Sequence, residues 1–259
     1  MRVISLVPSL TETLVECGVE VVGRTRFCIH PEEVVRNIPV VGGTKSVNWD
    51  SCHQLKPDLV VMDREENTLP MAESCPFPWH ATHITSVGAV GDHLQTLAGK
   101  LQNHKLEKLS ADWQSLAAMP NLDFTGWDNL PGLIQSMGSI QDVTRVQYMI
   151  WQDPWMTISR STFIGSVLIK TGLGQLLPDY SKPYPELTGS GLPEADTCYL
   201  FSSEPFPFAR HIEGLERRGF NGALVDGEFF SWFGIRSYRM LKDYIERYRA
   251  SNFIGNPMD

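Results

Sequence analysis

Short apolar runs recur along this chain, each stopped by a turn residue and followed by a stretch of helical spacing, and this alternation limits the fold more than any single residue does. The first run is Val3 to Val7, ended by Pro8, after which Ser9 or Thr11 is placed to cap a helix that ends near Gly18. Val19 to Thr25 follows as a second strand. A short strand around Ile38 to Val41 runs into Gly42-Gly43-Thr44, and Asn48-Trp49-Asp50 opens a helix reaching Leu55. Lys56-Pro57-Asp58 then leads into the buried strand Leu59 to Met62. Elements alternating in this way pack as a largely parallel sheet covered by helices. In such layers ligands gather at the carboxyl ends of the strands, where helix N-termini offer free N–H groups.

The middle of the chain departs from this rhythm. Glu73 to His80 is rich in proline and aromatics and is expected to be irregular, with a brief strand around Ile84 and Val87. Asp92 to Lys100 and Lys105 to Met119 are expected to be helical; in the second, Leu106, Leu109, Trp113 and Leu116 share one face. A long helix here would be a stiff connector. Pro120, Gly126, Pro131, Gly132 and Gly138 then divide the chain into short pieces, with a helix expected around Leu130 to Met137. The alternation resumes with Val146 to Trp151 as a strand, Asp153-Pro154-Trp155 as a turn and Ser161 to Lys170 as a helix. Strands at Thr197 to Ser202 and Ala223 to Val225 follow, and an amphipathic helix from Ile235 to Tyr248 closes the chain. The organisation expected is an N-terminal α/β lobe at 1–100, a backbone helix and connector at 101–144, and a C-terminal α/β lobe at 145–259.

Composition excludes several classes of function. The net charge is -8, with no block of Lys or Arg, so nucleic acid and anionic membranes are not expected partners. No run approaches the roughly 18 apolar residues that would span a bilayer. Val3 to Val7 is too short for a signal-peptide core and has no basic flank, so either a leader has been removed or the protein stays in the cytosol. The five cysteines form no C-x-x-C pair, and scattered buried thiols are expected rather than a disulfide framework or zinc site.

No catalytic motif is present. Gly42-Gly43-Thr44-Lys45-Ser46 ends like a phosphate loop but lacks its spacing, and there is no G-x-S-x-G, H-E-x-x-H or G-x-G-x-x-G. Ser9, Ser159 and Ser203 would be nucleophiles only through an arrangement the sequence does not show. The seven histidines are dispersed; Cys28 and His30 form the one soft pair on an expected site-facing loop, where one of them could approach a metal carried by a ligand. Aromatics make the stronger case. Phe27, Trp49, Trp79, Trp151, Trp155, Phe229, Phe230, Trp232 and Phe233 all fall in or beside expected strand-end loops, and flat side chains with polar neighbours suit a large, partly apolar ligand. About half of them are expected to be core.

Taken in order, Arg2 to Glu12, Val40-Val41-Gly42-Gly43, Leu55-Lys56-Pro57-Asp58-Leu59-Val60, Trp155-Met156-Thr157, Ser202 to Phe208 and Val225-Asp226-Gly227-Glu228 make the chain resemble the class III solute-binding proteins of ABC importers. These are the helical-backbone receptors for vitamin B12, haem and ferric siderophores, and the likeness is greatest to the cobalamin-binding branch. The resemblance implies two lobes, each a mostly parallel sheet flanked by helices, joined by a long backbone helix with the ligand cleft between them. It implies a monomeric, extracytoplasmic protein that performs no catalysis, carries no cofactor of its own, and delivers cobalamin or a related metal chelate to an ABC permease. Ser9, Leu10 and Thr11 would floor the site. Phe27, beside Cys28, resembles the aromatic that packs on the corrin ring, and Trp151, Trp155, Phe229, Phe230 and Trp232 resemble its C-lobe counterparts. Glu204, with Glu65 or Glu66 on the N-lobe, resembles the pair of glutamates that meets arginines on the permease. The alternative is a cytosolic protein of the same fold that handles a tetrapyrrole or metal complex without a permease.

Overall fold

A computed structural model describes residues 1–140, 143–187 and 192–254, with side chains to residue 251. The chain divides into two units. Unit 1 takes Met1–Ile84, Gly88–Ala118 and Trp232–Tyr238, and unit 2 takes Thr85–Val87, Met119–Ser231 and Arg239–Asp259.

In unit 1 the order is β1 (Arg2–Ser5), α1 (Pro8–Glu16), β2 (Glu20–Thr25), α2 (Glu32–Val35), β3 (Val40–Gly42), α3 (Trp49–Leu55), β4 (Leu59–Asp63), α4 (Leu69–Glu73), β5 (Trp79–Thr82), α5 (Val87–Leu101) and α6 (His104–Ala118). The five strands pair in the order β3-β2-β1-β4-β5, all parallel. Every residue of β4 is buried, as a central strand covered on both faces requires, and this is why Leu59 to Met62 reads as an unbroken apolar run. Ile4, Leu6, Val60 and Met62 pack with Val41 of β3 and Cys52 of α3 in one cluster.

Three local expectations change in unit 1. The first helix starts at Pro8 with Val7 as its N-cap, and no side chain caps it; Pro at the first helical position supplies the start instead. β5 begins inside the stretch expected to be irregular and runs past it, while Ile84 and Val87 belong to no strand. Pro78 is tolerated there because it precedes an edge strand and contributes only its carbonyl, which accepts from Val60 N at 2.9 Å. Finally, the helical stretch is in two pieces. Gln102 takes a left-handed φ of 50°, and Asn103 Oδ1 accepts from Leu106 N at 2.9 Å, capping the new helix.

Unit 2 contains β6 (Leu133–Met137), β7 (Arg145–Trp151), β8 (Met156–Thr157), α7 (Phe163–Lys170), β9 (Thr197–Ser202), α8 (Ile212–Arg217), β10 (Gly222–Val225) and α9 (Gly227–Ser231). α10 (Ile235–Ile254) begins in unit 1 and continues in unit 2. The strand order is β6-β10-β9-β7-β8, with β7, β9 and β10 parallel and the two edge strands antiparallel. The helix expected around Leu130 to Met137 is thus a strand. Gly132 and Gly138 turn the chain at either end of it with φ of 65° and 61°, and β10 supplies its hydrogen bonds. The core is aromatic: Tyr199, Phe201, Phe208 and Phe220 are all almost wholly enclosed, together with Met149 and Leu224.

Candidate functional site

The carboxyl edge of the unit 1 sheet is braced by small polar groups. Thr11 Oγ1 lies 2.8 Å from Ser5 Oγ, 2.8 Å from Val7 O and 3.1 Å from Cys28 Sγ, and Thr25 Oγ1 is 3.2 Å from the same sulfur. These contacts tie the end of β1 to α1 and to the turn after β2. Burial pushes the Cys28 thiol above its ordinary pKa, against the hydrogen bonds from Thr11 and Thr25, so it remains a neutral packing group. Ser9, Leu10, Thr11 and Cys28 are all buried. What they hold outward is Phe27, 46% exposed, with the Arg26 guanidinium 4.7 Å from its ring centroid.

A second group in unit 1 gives no sign of itself in the sequence. Glu12, buried on α1, accepts from Arg236 Nε at 2.9 Å and from Nη2 at 2.6 Å, a bidentate pair. Arg236 also lies 5.8 Å from the Trp232 ring centroid, and Trp232 stands edge-on to His30 at 5.6 Å. Trp113 Nε1 donates to Gly234 O at 3.0 Å, and Ile235 N donates to Thr13 Oγ1 at 3.0 Å. Trp232, expected among the C-lobe aromatics, therefore packs within unit 1. Its indole Nε1 is buried without a hydrogen-bond partner among the described residues.

The loop after β4 carries Glu65 and Glu66. Asp63, buried, takes hydrogen bonds from Thr82 Oγ1 at 2.6 Å and from Glu65 N at 2.9 Å. Asn67 accepts from Asp63 N at 2.9 Å and donates to Thr44 O at 2.9 Å and Leu6 O at 3.2 Å. Glu65 is exposed, and Lys45 Nζ donates to its carbonyl at 2.9 Å. Glu66 is half-buried; burial raises its pKa, with Lys45 opposing and the Asp63 and Glu65 carboxylates adding to the rise.

In unit 2 the outward aromatic is Trp151 at the end of β7, 41% exposed and edge-on to Phe206 at 5.4 Å. Trp155 serves the interior, stacked parallel to Phe208 at 6.2 Å with Arg218 5.4 Å from its ring. Phe229 and Phe230 are buried as well, and Phe230 stands edge-on to Tyr148 at 5.3 Å. The two motifs Ser202 to Phe208 and Val225 to Glu228 are one structural device. Ser203 Oγ accepts from Gly227 N at 3.0 Å, and Asp226 Oδ1 accepts from Glu228 N at 2.9 Å. A Cβ on Gly227 would stand 2.5 Å from Ser202 Oγ and 2.9 Å from Glu204 N, so only glycine fits that approach. Glu204 is displayed at the surface; partial desolvation of its carboxyl, then the Glu228 and Asp226 carboxylates, push its pKa up.

All five cysteines are free, four of them buried and Cys75 half-buried. Among the described residues no group of three His, Cys, Asp or Glu side chains is placed to hold a metal ion, and no helix is long and apolar enough to cross a membrane.

No protein-family model matches this chain, and no curated protein does. Solved structures do match in fold. The periplasmic vitamin B12-binding protein BtuF of Vibrio cholerae is 15% identical with a TM-score of 0.63, and the match covers 97% of each chain. The periplasmic haem-binding protein RhuT of Roseiflexus sp. RS-1, in apo form, is 18% identical with a TM-score of 0.65, over 96% of this chain and 98% of that one. A periplasmic haem-binding protein of Pseudomonas aeruginosa is 17% identical with a TM-score of 0.67, over 95% and 92%. At these identities the likeness is one of fold: two α/β lobes with five-stranded sheets, the fold of class III solute-binding proteins.

Proposed function

We propose that this chain is a non-catalytic binding protein for a large, flat metal chelate, with cobalamin or a related corrinoid first and haem or a ferric siderophore next, and that it feeds an ABC permease from outside the cytoplasm. The observation that carries this reading is the fold likeness along nearly the full length of both chains to binding proteins named for vitamin B12 and haem. Phe27, in the turn after β2, and Trp151, at the end of β7, support it as exposed aromatics at strand ends of their respective units. Flat rings of this kind bury much apolar area for little lost rotamer freedom. Ser9, Leu10, Thr11 and Cys28 act behind Phe27 as its support, and Glu204 and Glu65 are the carboxylates presented for permease arginines, with Glu66 behind Glu65.

Titration with cyanocobalamin, haemin and a ferric siderophore, followed by tryptophan fluorescence and calorimetry, tests the reading. One of the three is expected to saturate with Kd below about 10 μM, near 7 kcal/mol of binding free energy. Phe27→Ala should weaken that binding by about tenfold or more, the loss of one stacking contact. Failure of all three chelates to saturate in that range would overturn it.

A second reading is favoured by the five free thiols, which suit a reducing compartment: a cytosolic protein of the same fold that handles a tetrapyrrole or metal complex without a permease. Reconstitution with a permease encoded beside it separates the two. Transport lost on Glu204→Ala with chelate affinity unchanged supports the permease reading, and full transport by a Glu65→Ala/Glu204→Ala double variant contradicts it.

A further inference from the structure

We infer that unit 2 carries a second binding site, for a small polyvalent oxyanion, in a cavity of about 550 Å³ beside α8. Its lining includes Arg210, His211, Arg217 and Arg218, with Gln135 and Gln152. A chain of net charge -8 thus gathers three arginines around one concave surface that has a single acidic residue, Glu213, in its lining. Their states differ. Arg218 is held in place, its guanidinium 5.4 Å from the Trp155 ring centroid and 5.3 Å from that of Phe220. Arg217 is only loosely engaged, 4.0 Å from Glu213 with both side chains largely in solvent. Arg210 makes no ion pair with any described residue.

The donor set decides the chemistry of the ligand. Guanidinium groups present paired N–H donors that match carboxylate and phosphate oxygens bidentately, while the two glutamines add neutral donors and acceptors. The volume lies within the range of small-molecule sites, and it exceeds what one monovalent ion fills. The ligand class is therefore a compact molecule bearing two or more carboxylate or phosphate groups. His211 of the lining packs against Phe206, with ring centroids 5.4 Å apart.

Calorimetric titration of the intact protein with citrate and with pyrophosphate, each at low ionic strength, tests the site. Saturable binding is expected with Kd at or below about 1 mM, weakening steeply as salt is added. Citrate alone binding assigns the carboxylate class, pyrophosphate alone the phosphate class, and both a general oxyanion site. An Arg210→Gln/Arg217→Gln double variant should lose affinity by about tenfold or more with its urea midpoint unchanged, since both residues are exposed. Absence of saturation by either anion up to about 10 mM, or equal affinity in the double variant, overturns the inference. Neither probe carries a metal, and the double variant ties any binding to the arginines of this cavity, so the outcome is distinguishable from the titrations that test the function above.

Discussion

Both units carry aromatic residues in or beside their strands but use them in opposite ways. In unit 2 the rings are structural material: Tyr199, Phe201, Phe208 and Phe220 fill the core and Trp155 stacks on it, which leaves Trp151 outward. In unit 1 hydroxyls and a thiol brace the turn that carries one exposed ring, Phe27, while an amide holds the loop after β4 and an ion pair holds α1. An aromatic-rich strand end therefore marks a core as readily as a site. The sign of a site is a flat ring left in solvent on a scaffold whose own polar groups are already satisfied.

Substitutions can break this contrast in order of size. Phe208→Ala opens a cavity in the aromatic core of unit 2 and should cost about 3–5 kcal/mol, read as a large drop in the urea midpoint; a loss under about 1 kcal/mol would mean that the cluster is loosely packed. Glu12→Gln removes the carboxylate charge that faces Arg236. Its side chain is 25% exposed, so the expected loss is about 2 kcal/mol, below that of a fully buried pair. The same change should alter the fluorescence of Trp232, which packs against Arg236.

The smallest effect is the most diagnostic for charge. Burial raises the pKa of Glu66 in the folded state, so the unfolded chain releases that proton at lower pH. Ionisation then costs the folded state stability as pH rises from the unfolded value toward the folded one, and the cost persists above both. Glu66→Gln should therefore raise the urea midpoint slightly near pH 7, with the gain fading below about pH 4. A gain that persists in acid would place its cause outside titration.

Much of the fold was legible because central strands announce themselves. β1, β4 and β9 are apolar runs bounded by turn residues, and Thr197 to Ser202 was delimited without error. Edge strands were not, since β5 and β6 draw their order from neighbours distant in sequence, Val60 opposite Trp79 and Leu224 opposite Gln135. Local composition there argued for loop and helix. Among the candidate site residues, Phe27 and Trp155 look alike in sequence, because position beside a strand end does not say which way a ring points. The Glu12–Arg236 pair joins residues 224 apart, and no local pattern carries that information.

The segment from Trp232 to Tyr238 belongs to unit 1 although it lies near the other end of the chain. Gly234 there has a φ of 116°, and a Cβ would come within 2.2 Å of Thr13 Oγ1, so the segment fits α1 in one way only. During synthesis the sheet of unit 1 must therefore wait, lacking the counter-ion of Glu12, until Arg236 has emerged, long after its own strands. A message truncated shortly before Trp232 would leave both units incomplete, and a nascent chain paused there would expose a buried carboxylate to whatever chaperone or protease is at hand.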